Sequence, residues 1–180
     1  MAIFTLNFFR DPKRKIPPEA IDNPAIILSP ADGKIVEIVE EDEPKFVKGK
    51  VIRISIFLSI FNVHVNRSPI SGKVEYFSYN PGAYIIANHP KASELNENTF
   101  IGVKADVFDH KIAYKQMTGI LARRIVCIVK EGDEYIAGEK IGMMKFGSRM
   151  DVFLPVNTNI LVKKGDNVKG ASSILAELKE

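Results

Sequence analysis

Residues 51–59 read VIRISIFLS, and this stretch decides the fold class. Isoleucine or leucine occupies every second position from Ile52 to Leu58, while Arg, Ser and Phe fill the positions between them. A period of two predicts a β-strand that turns one face towards a core. The run IVCIV at 125–129 predicts a second, buried strand. Turn dipeptides such as Asp32-Gly33 recur along the chain, so the predicted class is mainly β.

Two pairs of internal repeats refine this prediction. Residues 29–35 (SPADGKI) resemble residues 68–74 (SPISGKV), and residues 129–133 (VKEGD) resemble residues 162–166 (VKKGD). The V-K-x-G-D turn is typical of hairpins in lipoyl- and biotinyl-carrier folds, where Gly supplies a positive φ and Asp tolerates the turn. We therefore expect a barrel-sandwich hybrid with duplicated β-hairpins and few short helices. A carrier function is disfavoured, because the usual attachment sequence Asp-Lys-Ala is absent.

The amino-acid composition limits which metal sites, disulfides and binding partners the protein can have. The chain has 180 residues, a formal charge of +3, one cysteine and three histidines. This length suits one domain, and a single cysteine excludes an internal disulfide framework and a multi-cysteine zinc site. With so few histidines we predict no metal site. A charge this small does not by itself indicate a nucleic-acid partner.

The N-terminal segment differs in composition from the rest of the chain. Apolar residues between Ile3 and Phe9 precede four basic residues at positions 10–15, and prolines follow. We predict a basic, Pro-rich arm over residues 1–24 and a single β domain over residues 25–180. Aromatic and basic side chains together suit the surface of an anionic membrane. The alternative is an ordinary terminal strand with solvated charges. No run of about 18 apolar residues occurs, so no spanning segment is predicted.

Five segments carry polar groups that can do chemistry, and their order along the chain is specific. They are FFRDP at 8–12, SPADG at 29–33, FLSIFNVHVNRSP at 57–69, ARRI at 122–125 and KFGSRMD at 145–151. In this order they resemble the phosphatidylserine decarboxylase family, in particular its short bacterial and archaeal branch. The resemblance runs from Phe8 to about Pro155.

The resemblance implies a proenzyme that cuts itself between Gly147 and Ser148. The Ser148 hydroxyl would attack the Gly147 carbonyl, and elimination of the resulting ester followed by hydrolysis would leave a pyruvoyl group made from Ser148. The products would be a β chain of residues 1–147 and an α chain of residues 148–180. The pyruvoyl cofactor would accept electrons while phosphatidylserine loses CO2 to give phosphatidylethanolamine, with no metal.

The resemblance also suggests roles for polar side chains near the cut. His64 is the predicted acid and base, with a hydrogen-bonded core histidine as the alternative. Asp32 would orient His64, and it also suits a simple turn. Arg67 stands where longer family members carry a second histidine, so it is predicted to hold a substrate anion or to form a surface salt bridge. Arg149 would bind a substrate anion or a carboxylate such as Asp151.

The implied partners are a serine phospholipid and an anionic membrane surface, at the cytoplasmic face of the cell membrane as a peripheral protein. The two chains of one precursor would stay paired, no nucleic acid is expected, and a homo-oligomer is left open. The alternative function is an uncleaved, non-catalytic relative that serves as a lipid-binding or scaffold module.

Overall fold

A computed structural model describes residues 6–82, 96–119, 124–144 and 148–180. Residues 6–8 are helical, and a short helix α1 follows at Pro18–Asp22. The strands in these ranges are β1 Ile26–Leu28, β2 Gly33–Glu43, β3 Gly49–Leu58, β4 Val65–Arg67, β5 Gly72–Asn80, β6 Asn98–Ala105, β7 Lys111–Thr118, β8 Ile125–Cys127, β9 Glu134–Tyr135, β10 Lys140–Met144, β11 Ser148–Pro155, β12 Asn159–Ile160, β13 Asn167–Val168 and β14 Ile174–Glu177.

These strands form three antiparallel sheets in the described part of the chain. The large sheet has the order β13-β2-β3-β11-β7-β6-β5-β9, and the small sheets have the orders β1-β14-β12 and β4-β10-β8. Strand β11 therefore lies between β3 and β7, with Val152 opposite Ile54 on one side and Tyr114 on the other. This central position puts the start of β11 deep in the molecule.

The two faces of the large sheet differ in character. The inner face carries Ile54, Tyr114 and Val152, which are fully buried in the main hydrophobic core. The outer face carries a charged group, in which Arg53 forms an ion pair of 2.9 Å with Glu37 and Asp151 is fully buried. Because successive residues of a strand point to opposite faces, neighbours in sequence along β11 lie in different environments.

The repeated sequences form matching local structures. The Ser29 hydroxyl donates to the Ala31 carbonyl, and the Ser68 hydroxyl donates to the Ile70 carbonyl, both at 2.7 Å. In the V-K-x-G-D turns, Gly132 and Gly165 have φ values of 93° and 102°. The matching turns predicted from the repeats are therefore confirmed, although the strands on either side of each turn pair with other strands and not with each other.

The mainly β class and the scarcity of helix are also confirmed. The sheets are linear ladders and do not close into a barrel within the described residues. The prediction of a buried strand at 125–129 is wrong, because β8 is an edge strand and Val126 is 41% exposed. In the ranges that the structure covers, no helix is long and apolar enough to cross a membrane.

Candidate active site

Ser148 is the first residue of β11 and lies on the inner face of the large sheet. It pairs with Leu58 of β3 and with Thr118 of β7, and its side chain is fully buried. Among the described residues its Oγ has no hydrogen-bond partner. A buried hydroxyl without a partner costs roughly 1–3 kcal/mol, so a group of this kind calls for an explanation. Chemical use of the hydroxyl provides one.

His64 comes just before β4, after a turn that ends β3. The turn closes through a hydrogen bond from the Asn62 amide to the Ser59 carbonyl, 2.9 Å long. It places the Asn62 carbonyl 2.9 Å from Nδ1 of the fully buried His64 ring. A carbonyl can only accept, so Nδ1 must carry the hydrogen. Nε2 then presents a lone pair, and no described residue forms a hydrogen bond with it.

The surroundings of His64 keep its ring neutral. The pKa of His64 is lowered to about 4, mainly by burial and also by the charge of Arg10, while the Asn62 carbonyl and Asp32 act in the opposite direction. An imidazole with this pKa is unprotonated at neutral pH. Its Nε2 is therefore ready to accept a proton.

Strand β10 links His64 to the chain that leads to Ser148. The amide of Met144 donates to the His64 carbonyl at 3.2 Å, and Ser148 follows four residues later. Four residues span at most about 14 Å. The structure thus brings the predicted base and the predicted nucleophile into one region, each with an unpartnered buried atom. Gly147, the other residue of the predicted cut, lies outside the described residues.

Asp32 lies in the turn before β2, and its hydrogen-bond partners there are Arg14 and Gly170 and do not include His64. Its Oδ1 accepts hydrogen bonds from Arg14 at 2.7 Å and from the Gly170 amide at 2.8 Å. Its charge raises the pKa of His64, which indicates proximity. The hydrogen bond that orients the ring comes from Asn62, a backbone contact that the side-chain pattern did not predict.

The two predicted anion-binding arginines have carboxylate partners. Arg67 donates to Asp11 at 2.7 Å and to the Gly138 carbonyl at 3.1 Å. Arg149 makes a bidentate pair with Asp151, with distances of 2.7 and 2.9 Å. Arg149 also follows Ser148 directly along β11, so its side chain lies on the opposite face of the sheet. The structure therefore does not bring Arg149 together with Ser148.

The arm packs against these same residues, which the sequence did not reveal. Phe8 is 2% exposed and stacks on the His64 ring, with 4.2 Å between ring centroids. Asp11 pairs with Arg67 and also with Lys140, at 3.0 Å. Although burial raises the pKa of Asp11, Lys140 and Arg67 outweigh it and hold the pKa below its usual value. Residues 8–14 thus cover the side of the site that contains His64.

Within the described ranges, no cluster of three or more His, Cys, Asp or Glu side chains could hold a metal ion. The chemistry that the described groups can support is proton transfer at His64 and nucleophilic attack by Ser148. A serine hydroxyl is a weak nucleophile unless a neighbouring base removes its proton. A neutral imidazole with a free Nε2 is such a base.

Comparison with known proteins agrees with this chemistry. The profile of the family described as phosphatidylserine decarboxylase matches residues 1–176. A phosphatidylserine decarboxylase proenzyme of Desulfotalea psychrophila is 43% identical over 97% of this chain and 79% of its own length. A proenzyme of the same name from Amoebophilus asiaticus is 47% identical over 99% of this chain and 77% of its own length. Another, from Salinibacter ruber, is 45% identical over 97% of this chain and 76% of its own length. The chain belongs to the phosphatidylserine decarboxylase family.

Proposed function

We propose that this chain is a proenzyme that cuts itself between Gly147 and Ser148 and then decarboxylates phosphatidylserine to phosphatidylethanolamine and CO2. One observation carries the proposal: Ser148 Oγ and His64 Nε2 are both buried without partners, in the same region of the molecule. The names of the relatives support the substrate and the proenzyme state.

In the first step, His64 Nε2 takes the proton of the Ser148 hydroxyl as Oγ attacks the carbonyl carbon of Gly147. The C–O bond forms, the C–N bond breaks, and the proton passes from His64 to the nitrogen that leaves. The Asn62 carbonyl stabilises the protonated ring through Nδ1–H, and the carboxylate of Asp32 adds a favourable charge. These groups share the work that one aspartate does in a Ser-His-Asp triad.

A single histidine performs this step in the proposal. Arg67 is always protonated and cannot act as a base. Its guanidinium is also held by Asp11 and by the Gly138 carbonyl. The low pKa of His64 favours the second half of the step, because its protonated form is acidic enough to return the proton readily.

The site also fits the cofactor that the family implies. A pyruvoyl group at position 148 supplies a carbonyl that binds the substrate amine and takes up the electron pair released with CO2. Position 148 is fully buried and its side-chain oxygen has no partner among the described residues, so a group made from this residue would have no side-chain hydrogen bond to displace. During turnover His64 Nε2 delivers a proton to the α-carbon of the substrate, and the buried surroundings limit the access of water.

Exposed apolar residues beside the site support contact with a membrane. Leu6 and Phe61 are 75% and 71% exposed, and Phe9 is 42% exposed. Arg10 lies among them and donates to the Phe61 carbonyl at 3.1 Å. Apolar side chains next to a cation suit a surface of anionic lipid. We propose a peripheral location at the cytoplasmic face of the cell membrane, with this patch (Leu6, Phe9, Arg10 and Phe61) against the bilayer.

Replacement of the nucleophile tests the function. Freshly purified wild-type protein should separate under denaturing conditions into chains of 147 and 33 residues, the smaller with a blocked N-terminus. Ser148→Ala should remain one chain and release no CO2 from phosphatidylserine. Ser78→Ala, a half-buried strand serine far along the sheet order, is the matched control and should cleave normally. A wild-type chain that is uncleaved yet active would contradict the proposal. A wild-type chain that is uncleaved and inactive would favour the non-catalytic, lipid-binding alternative.

A further inference from the structure

A directional chain of hydrogen bonds runs through the buried polar end of the large sheet. The Thr99 hydroxyl donates to Oε1 of Gln116 at 2.7 Å, and Nε2 of Gln116 donates to Oδ1 of Asn66 at 2.8 Å. All three residues are buried, and Gln116 and Asn66 are fully so. The chain of hydrogen bonds ends at Nδ2 of Asn66, which has no hydrogen-bond partner in the part of the protein that the structure describes.

The orientation of the Gln116 amide sets which end of the Asn66 amide is free. Nε2 of Gln116 can only donate, so Asn66 must present its oxygen to Gln116 and its NH2 group to the other side. A buried donor with no acceptor costs about 1–3 kcal/mol. The structure thus keeps the NH2 group of Asn66 buried without an acceptor among the described residues, despite this loss of stability, and directs its hydrogens away from Gln116. Such an arrangement suits a donor whose acceptor develops only during a reaction.

Strand register places this donor near Ser148. Gln116 pairs with Met150 and Thr118 pairs with Ser148, so Gln116 and Ser148 are diagonal neighbours on the same face. Diagonal neighbours lie roughly 7–8 Å apart, within reach of long side chains. Asn66 lies within β4, and His64 comes just before this strand, two residues earlier. Among the described residues, Asn66 Nδ2, His64 Nε2 and Ser148 Oγ are buried without a hydrogen-bond partner. Strand pairing and the contact between Gln116 and Asn66 connect this donor with the strand that begins at Ser148.

We propose that Asn66 donates the hydrogen bond that stabilises the oxyanion of self-cleavage, an inference that rests on the proposed function. When Ser148 Oγ bonds to the preceding carbonyl carbon, the C=O electron pair moves onto oxygen and the hydroxyl proton moves to His64. That oxygen belongs to the peptide unit joined to the Ser148 nitrogen, so it is always close to Ser148. Nδ2–H of Asn66 donates to the oxygen while it carries negative charge. The charge returns to the carbonyl as the C–N bond breaks.

The test compares cleavage rates of newly synthesised proenzymes, followed as the appearance of the 147- and 33-residue chains. Asn66→Ala should cleave about 10²–10³ times more slowly than wild type, the usual loss for one oxyanion donor. Thr158→Val is the matched control. It also removes a buried, unpartnered polar atom, but its position lies beyond the far end of β11, and its cleavage rate should be unchanged.

Two further measurements separate this role from a structural one. Hydroxylamine cleaves esters, so it should not accelerate chain separation in Asn66→Ala, where formation of the ester is itself the slow step. Rapid separation with hydroxylamine would place Asn66 after the first step and overturn the inference. Asn66→Asp keeps an acceptor for Gln116 and, in its ionised form, has no donor, so in that form it should cleave as slowly as Asn66→Ala while retaining a cooperative thermal transition.

The outcomes also distinguish this inference from the proposed function. If wild type never cleaves, the function proposed for Ser148 fails. If wild type cleaves and both Asn66 variants, folded, cleave at the wild-type rate, only the role of Asn66 fails. Normal cleavage with a raised KM for phosphatidylserine would likewise overturn it, because Asn66 would then bind substrate.

Discussion

His64 combines three features that are seldom found in one histidine. Its ring is fully buried, it is covered on one face by Phe8, and its tautomer is set by a backbone carbonyl. Burial and the charge of Arg10 both disfavour the protonated form. The ring is therefore a base that is always available at neutral pH, whereas an unperturbed histidine would be partly protonated.

The pH dependence of cleavage tests this environment. The pKa of His64 is about 4, so the rate of self-cleavage should be nearly constant from pH 8 to about pH 5 and fall only as pH approaches 4. Half-maximal cleavage near pH 6.5, the value for an ordinary histidine, would contradict this account.

The same pKa affects stability. An unfolded chain binds a proton at His64 as pH falls through about 6.5, while the folded chain does not until pH reaches about 4. The contribution of His64 to stability is therefore complete above pH 6.5 and is lost progressively between pH 6.5 and 4. Urea unfolding at several pH values, in a Ser148→Ala background that keeps one chain, should show a weaker pH dependence across this window after His64→Gln.

Sequence motifs identify Ser148 and His64 but not the groups that act with them. A Gly-Ser pair, and a histidine that follows an apolar strand, can be recognised directly from the residue types in the sequence. The Asn62 contact is made by a main-chain carbonyl, which every residue has, so no side-chain pattern reports it. The position of Arg149 next to Ser148 favours it as a substrate ligand, but adjacent residues of a strand face opposite ways.

Among the elements, β3 is predictable from sequence and the packing of the arm is not. The alternation from Ile52 to Leu58 is local, and the internal repeats indicate matching turns by their similarity alone. The arm is held by contacts between residues far apart in sequence, such as Asp11 with Lys140, 129 positions later. Local pattern carries no information on such pairs, so only the fold shows that residues 8–14 pack against the site.

The exposed patch on the arm leads to a prediction about membrane binding. Leu6→Ser combined with Phe9→Ser should strongly reduce sedimentation with vesicles that contain phosphatidylserine, because both side chains are exposed and apolar. The matched control is Val156→Ser with Leu161→Ser, which are 47% and 52% exposed near the other end of β11. Equal sedimentation of the two double variants would rule out the patch as the binding surface.

At the scale of the whole molecule, the residues after the predicted cut are not a separate unit. Residues 148–180 supply β11 and β13 to the large sheet and β12 and β14 to a small sheet. Strand β11 pairs with β3 over eight residues and with β7 over six. A chain of 33 residues rarely folds alone. We therefore expect the two chains of the cleaved protein to unfold together.

Unfolding should then depend on protein concentration only after cleavage. The thermal midpoint of the cleaved protein should fall on dilution, since separation of two chains follows mass action. The midpoint of Ser148→Ala, which remains one chain, should not change with concentration. A cleaved protein whose midpoint is independent of concentration would show that the two chains do not separate when they unfold.

The central position of β11 sets an order of events in time. Ser148 acquires its buried position only when β3 and β7 have closed around the start of β11. His64, in turn, is held by the turn after β3 and by β10. If these groups perform the cut, a nascent chain cannot cut itself until its sheets have assembled. Maturation then acts as a checkpoint on folding, because a misfolded copy stays an inert precursor and never acquires a reactive carbonyl.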